Sequence, residues 1–179
     1  TREAVAVQES PDRDWAPPVY SRSVQTELDP QLVRANRLVC IDQEAPELDF
    51  FKVLRTKIQQ KIRFKGWNTI MITSPQAAEG KTMTSVNLAL TFAKTYNQTV
   101  LLVDCDLRRQ SIHNTLGIKS SAGLVDYLIN KKPLSEFIIW PGIKKLTLIS
   151  GGRTIHDSTE LLGSERMKAL VAEMKNRYP

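Results

Sequence analysis

The chain has 179 residues, 41% of them hydrophobic and 25% charged, with a formal net charge of +6. That is enough to bury one sizeable core, and no run approaches the roughly 20 apolar residues a membrane helix needs. Two cysteines, Cys40 and Cys105, exclude a disulfide framework and fit a reducing cytoplasm. The basic residues form no block and are not interleaved with aromatics, so no nucleic-acid partner is expected.

Residues 1–44 carry Pro11, Pro17, Pro18 and Pro30 among polar residues and read as a flexible N-terminal arm, with a short helix near Gln31–Asn36. A helix begins after Pro46, with Phe51, Leu54 and Ile58 on one face. Trp67–Thr73 reads as a short central parallel strand buried on both faces. Thr82–Thr95 is a predicted helix, with Val86, Ala89, Leu90 and Ala93 inward, and Thr99–Val103 a predicted strand. Gly123–Asn130 and Leu134–Ile139 read as short helices, and Lys145–Ile149 as a third strand stopped by Gly151-Gly152. Ser158–Tyr178 reads as one helix, with Asp157 and Glu160 placed for a capping box. Alternating strands and helices argue for an α/β fold with a parallel sheet flanked by helices.

Two stretches carry chemistry. Ile70-Met-Ile-Thr-Ser-Pro-Gln-Ala-Ala-Glu-Gly-Lys-Thr82 runs an apolar strand into a Gly-Lys-Thr loop. A strand-to-helix turn offers backbone N–H groups at the positive end of a helix dipole, where phosphate binds. Gly80 permits close backbone approach, Lys81 supplies a mobile charge for the β- and γ-phosphates, and the Thr82 hydroxyl is placed to ligate Mg²⁺. The expected cofactor-binding stretch is therefore Ala77, Ala78, Glu79, Gly80, Lys81, Thr82 and Met83, with a nucleotide and Mg²⁺ as the expected ligands. The strict Gly-x4-Gly-Lys-Ser/Thr pattern fails, because Pro75 stands at the first glycine position.

The second stretch, Val100-Leu-Leu-Val-Asp-Cys-Asp-Leu-Arg-Arg109, ends an apolar strand in two acids. Asp104 and Asp106, two apart, would point the same way from a strand. They either face the ligand crevice at the carboxyl end of a parallel strand, or cap helices and pair with Arg108 and Arg109. Cys105 between them reads as a small buried packing residue. His113 and His156 lack metal-ligand spacing and read as surface or satisfied polar groups.

These stretches, with Asn87-Leu-Ala, Gly123-Leu-Val-Asp-Tyr-Leu and Glu160-Leu-Leu-Gly-Ser-Glu-Arg-Met, resemble the bacterial tyrosine autokinases of capsule and exopolysaccharide synthesis. The resemblance covers roughly residues 46 to 179. It implies a P-loop NTPase-like kinase domain at 45–179 that passes the γ-phosphate of Mg·ATP to tyrosine. It further implies Lys81, Asp104 and Asp106 as catalytic residues and Thr82 and Asp104 as metal ligands. Asp104 would help hold Mg²⁺ and assist the tyrosine hydroxyl, with Asp106 as its electrostatic neighbour. The implied partners are the cytosolic segment of a membrane chain-length regulator, which would bring the protein to the inner face of the plasma membrane, and other copies of the chain. Asp49, Lys52 and Arg55 match the family's Glu-x2-Arg-x2-Arg oligomerisation helix in charge, although two of the three residue types differ.

The chain also departs from the family. Ala77-Ala78 replace its Pro-Gly, and Gln76 stands where partition-type ATPases carry a signature lysine. The expected Walker B strand and tyrosine-rich tail do not appear, and the four tyrosines, Tyr20, Tyr96, Tyr127 and Tyr178, form no cluster. The expectation is a domain incomplete at its C-terminus. The alternative reading is a non-kinase P-loop ATPase or nucleotide switch acting on a membrane polysaccharide-assembly partner.

Overall fold

A computed structural model describes residues 24–25, 28–42, 44–95, 99–130 and 132–178. Its core is a four-stranded sheet built from β1 (Val24–Gln25), β2 (Val100–Val103), β3 (Ile138–Trp140) and β4 (Leu146–Ile149), in the order β1-β3-β4-β2. β2 pairs with β4 in parallel, from Val100 opposite Leu146 to Val103 opposite Ile149. β1 and β3 are also parallel, but β3 and β4 run antiparallel.

The sheet is therefore mixed and not all-parallel as expected. The stretch Leu134–Ile139 is responsible, since only a 3₁₀ turn (Leu134–Glu136) forms there. Lys132, Pro133 and the Trp140–Pro141 step leave no room for a crossover helix, so Ile138 and Ile139 fold straight back onto β4.

Helices lie on both faces. α2 (Leu48–Lys65) and α3 (Lys81–Ala93) cover one, while α5 (Leu124–Asn130) and α7 (Glu165–Arg177) cover the other. β2 shows why two layers form. Val100 and Leu102 join the cluster of Val86, Ala89, Leu90 and Ala93 from α3, and Leu101 and Val103 join the cluster of Leu124, Val125, Leu128 and Leu170. The period of two in a strand places successive residues in opposite layers. Each fully buried Leu or Ile contributes roughly 1.5–3 kcal/mol of transfer free energy.

The largest departure is Trp67–Thr73, expected as a central strand. It joins no ladder among the described residues, and Trp67 and Met71 are 59% and 84% exposed. A strand needs a neighbour for its N–H and C=O groups, and β2 pairs only with β4 among the described residues. The segment is anchored instead by its side chains, Asn68 Nδ2 donating to the carbonyls of Lys175 (2.6 Å) and Tyr178 (3.0 Å).

Two smaller differences have local causes. The predicted Ser158–Tyr178 helix breaks into α6 (Ser158–Leu162) and α7, because the Ser164 hydroxyl caps a new start by accepting from the Met167 N–H at 3.2 Å. Asp157 makes no capping bond to α6, so the expected capping box is absent.

Residues 1–23, most of the expected N-terminal arm, lie outside the described residues. The described part of that stretch carries α1 (Pro30–Ala35), whose N-cap Asp29 accepts from the Gln31 N–H at 2.8 Å. It also contributes buried Leu38 and Cys40 to the α3 cluster. Asn87, fully buried on α3, straps this segment down. Its Oδ1 accepts from the Cys40 N–H at 2.9 Å, and its Nδ2 donates to the Arg37 carbonyl at 2.9 Å.

Candidate nucleotide site

The loop 75–80 leads into α3 through two left-handed residues, Ala78 at φ +64° and Gly80 at φ +86°. Glycine takes that conformation freely, whereas alanine pays roughly 1–2 kcal/mol. The Glu79 carboxylate accepts from the Gln76 N–H at 3.1 Å and closes the loop on itself. Gly80 is the N-cap of α3, so Lys81, Thr82 and Met83 form a first turn whose N–H groups have no intrahelical acceptor. That turn supplies the converging donors and positive dipole end that an anion needs.

The second half of the site comes from the end of β2. The Asp104 N–H donates to the Ile149 carbonyl at 3.0 Å, so the ladder with β4 continues to the first acid. Asp104 is buried and accepts from three backbone N–H groups. Oδ1 takes Asp106 at 3.1 Å, and Oδ2 takes Ser111 and Ile112, both at 3.1 Å. The sequence left two roles open for this acid, and capping of the short α4 (Ile112–Thr115) is one the structure realises. Burial raises the Asp104 pKa above the ordinary carboxylate value and outweighs the three N–H donors, which lower it.

Asp106 faces the loop, its Oδ2 lying 3.0 Å from Lys81 Nζ. Partial burial pushes its pKa up, but the Lys81 hydrogen bond and charge and the Arg109 N–H more than offset this and hold it below the ordinary value. Among the described residues neither acid forms an ion pair with the guanidinium of Arg108 or Arg109, and Asp106 Oδ1 accepts from the Arg109 N–H at 3.0 Å. Arg108 donates from Nε to the His156 carbonyl at 3.2 Å.

Beside the first turn of α3 lies a cleft of roughly 300 Å³ lined by Ala78, Gly80, Lys81, Thr82, Met83, Asn36, Ser111 and Thr115; neither Asp104 nor Asp106 lines it. Five of the seven residues expected to bind cofactor line it, while Ala77 and Glu79 do not. Asn36, Ser111 and Thr115 escaped the sequence reading. Asn36 lies in the stretch read as arm and reaches the cleft because its Nδ2 donates to the Thr115 carbonyl at 2.9 Å. Ser111 had one legible signal, a serine directly before a short helix.

Cys105 is exposed, not buried as expected, since it lies past the end of β2 at Val103, and β2 has only β4 as a neighbour among the described residues. His156 is exposed, while His113 is half-buried with no hydrogen-bond partner at Nδ1 among the described residues. Of the three residues matched to the oligomerisation helix, Asp49 and Lys52 pair with each other at 2.8 Å. Arg55 turns inward, its Nη1 donating to the Thr91 carbonyl at 3.1 Å.

The donor set fits a magnesium nucleotide. The first turn of α3 and Lys81 suit phosphate oxygens, while the Thr82 hydroxyl and the Asp104 carboxylate are hard oxygen donors of the kind Mg²⁺ takes. Among the described residues no group of three His, Cys, Asp or Glu side chains could cage an ion. Among the described residues no helix is long and apolar enough to cross a membrane.

Residues 70–179 match the family model of the CobQ/CobB/MinD/ParA nucleotide binding domain. The chain is similar to the tyrosine-protein kinase YwqD of Bacillus subtilis, at 31% identity over 128 residues, covering 72% of this chain and 54% of that protein. It is also 31% identical to the putative tyrosine-protein kinase AmsA of Erwinia amylovora over 161 residues, 89% of this chain and 22% of the other. The chain thus spans about half of the first relative and about a fifth of the second. Among solved structures it resembles the kinase domain of Escherichia coli tyrosine kinase ETK, with a TM-score of 0.74 and 26% identity, covering 90% of this chain and 66% of that one. The chain belongs to the CobQ/CobB/MinD/ParA nucleotide-binding domain family, and its named relatives there are bacterial tyrosine-protein kinases.

Proposed function

We propose that this chain is the ATP-binding part of a bacterial protein-tyrosine autokinase of capsular or exopolysaccharide biosynthesis, with its kinase domain at 45–179. The observation that carries the reading is the Lys81–Asp106 contact at 3.0 Å, which sets the acid-bearing end of β2 beside the first turn of α3, whose Lys81, Thr82 and Met83 line the cleft. Bound Mg·ATP would supply the γ-phosphoryl group and the cation that screens its charge. Phosphoryl transfer asks a protein mainly for positioning and charge neutralisation.

The residues divide that work. The first-turn N–H groups of α3 and the Lys81 ammonium hold the phosphates, and Lys81 leaves Asp106 to do so. Thr82 and Asp104 hold the cation. By the same family likeness Asp104 would also assist a tyrosine hydroxyl, with Asp106 as its electrostatic neighbour. Family likeness supports self-association and a partner in the cytosolic segment of a membrane chain-length regulator, which would recruit the protein to the inner face of the plasma membrane. Asp49, Lys52 and Arg55 remain the proposed contact helix, with the exposed Asp49–Lys52 pair as its accessible part.

A second reading, a nucleotide switch without kinase activity, draws on the tyrosines. Tyr127 packs under Arg166, 4.6 Å from ring centroid to guanidinium carbon, and Tyr178 bonds Thr147 at 3.0 Å, so both serve the core. Incubating the full native polypeptide with Mg·ATP and mapping modified residues by mass spectrometry separates the two. Phosphotyrosine that disappears in Lys81→Met supports the kinase, and ADP release without protein phosphorylation supports the switch.

A further inference from the structure

Ser111 belongs to no motif recognised in the sequence, yet it lies where the two halves of the site meet. Its Oγ is 2.9 Å from Thr82 Oγ1. Its backbone is already committed. The N–H donates to Asp104 Oδ2 at 3.1 Å, and the carbonyl accepts from the Thr115 N–H at 2.8 Å and from Thr115 Oγ1 at 2.7 Å. Only the hydroxyl of Ser111 is left to turn, and it points at the hydroxyl proposed as a cation ligand.

A neutral hydroxyl that ligates a cation gives the ion a lone pair, and its proton must find an acceptor elsewhere. With its proton toward Ser111, Thr82 keeps a lone pair directed into the cleft. With the bond reversed, that lone pair would be spent on Ser111. Asp104 ties the serine in place, since its Oδ2 accepts from the Ser111 N–H.

We propose that Ser111 is a positioning residue of the cation site, holding the Thr82 hydroxyl in the orientation that binds Mg²⁺ with the nucleotide. The inference rests on the Mg·nucleotide reading of the cleft. A partner that orients a metal ligand typically changes metal affinity by roughly 10–100-fold when removed. Ser111→Ala keeps the backbone N–H to Asp104 and leaves the fold intact.

The test is calorimetric titration of the chain with ADP at a series of Mg²⁺ concentrations and in EDTA. In the wild type, Mg²⁺ tightens ADP binding. In Ser111→Ala the Mg²⁺ concentration giving half of that effect should rise about 10-fold, with ADP affinity in EDTA unchanged, and Ser111→Thr should restore the wild-type value. Identical Mg²⁺ dependence in Ser111→Ala and wild type would overturn the proposal, as would an equal loss of affinity in EDTA, which would mean a merely structural serine. A wild-type chain that binds ADP without any Mg²⁺ effect would remove the cation site, and this inference with it.

Discussion

Lys81 Nζ and Asp106 Oδ2 lie 3.0 Å apart, joining the phosphate loop to the end of β2 across 25 residues of sequence. The pair has a consequence for pH dependence. The Asp106 pKa lies below the ordinary value of 3.8, so its stabilisation is present above about pH 4 and is lost as the pH falls through the depressed value. Partly exposed pairs contribute only about 0.2–1 kcal/mol. Asp106→Asn should therefore be less stable than wild type by up to about that amount at pH 7, and the difference should vanish towards pH 2. Urea unfolding at both pH values measures it. A difference that grows on acidification would contradict the pairing.

Asp104 carries a different load. Its carboxylate serves three N–H groups in a buried position. Asp104→Ala should cost about 2–4 kcal/mol, since each unsatisfied buried donor costs roughly 1–3 kcal/mol and some of the three will find water. A variant within 0.5 kcal/mol of wild type in denaturant midpoint analysis, on the order of the error of such a comparison, would deny the capping role.

Ala78 occupies a left-handed position, which Ala77-Ala78 in place of Pro-Gly had made a point of interest. Ala78→Gly removes roughly 1–2 kcal/mol of strain and adds roughly 0.4–1 kcal/mol of unfolded-chain entropy. The net expectation is a rise in melting temperature of about 1–4 °C. A lower melting temperature would mean that the loop does not hold this conformation in solution.

Asn87 ties the 36–40 segment to α3. Asn87→Ala strands the Cys40 N–H and the Arg37 carbonyl and should destabilise by about 2 kcal/mol or more. Because Asn36 lines the cleft, nucleotide affinity should fall as well, while Asn36→Ala should lower affinity alone. Calorimetry with chemical denaturation distinguishes the two variants.

The parts of this fold legible in the sequence were those with a local cause. Val86, Ala89, Leu90 and Ala93 repeat at helical spacing, and the Gly80-Lys81-Thr82 turn follows from its own chemistry, so α3 and the loop were readable. β2 was readable because four apolar residues run into a charged pair. The errors in the sheet were errors of pairing. Nothing inside Trp67–Thr73 tells whether a neighbouring strand exists, and nothing inside Ile138–Trp140 tells which way it will run. Ser111 and Asn36 reach the cleft only through partners 29 and 79 residues away, which no spacing rule connects.

The most direct test of the nucleotide site is calorimetric titration of Mg·ATP into the wild-type chain and into Lys81→Met. Lys81 is partly exposed and bonds only one carboxylate there, so the variant should fold. Saturable binding by the wild type, weakened at least about 10-fold in the variant, is the expected result, as a charge-assisted bond to phosphate is worth roughly 1.5–3 kcal/mol. Equal affinity in the two proteins, or no binding by a folded wild-type chain, would contradict the assignment of the Gly80–Met83 turn as the phosphate cradle.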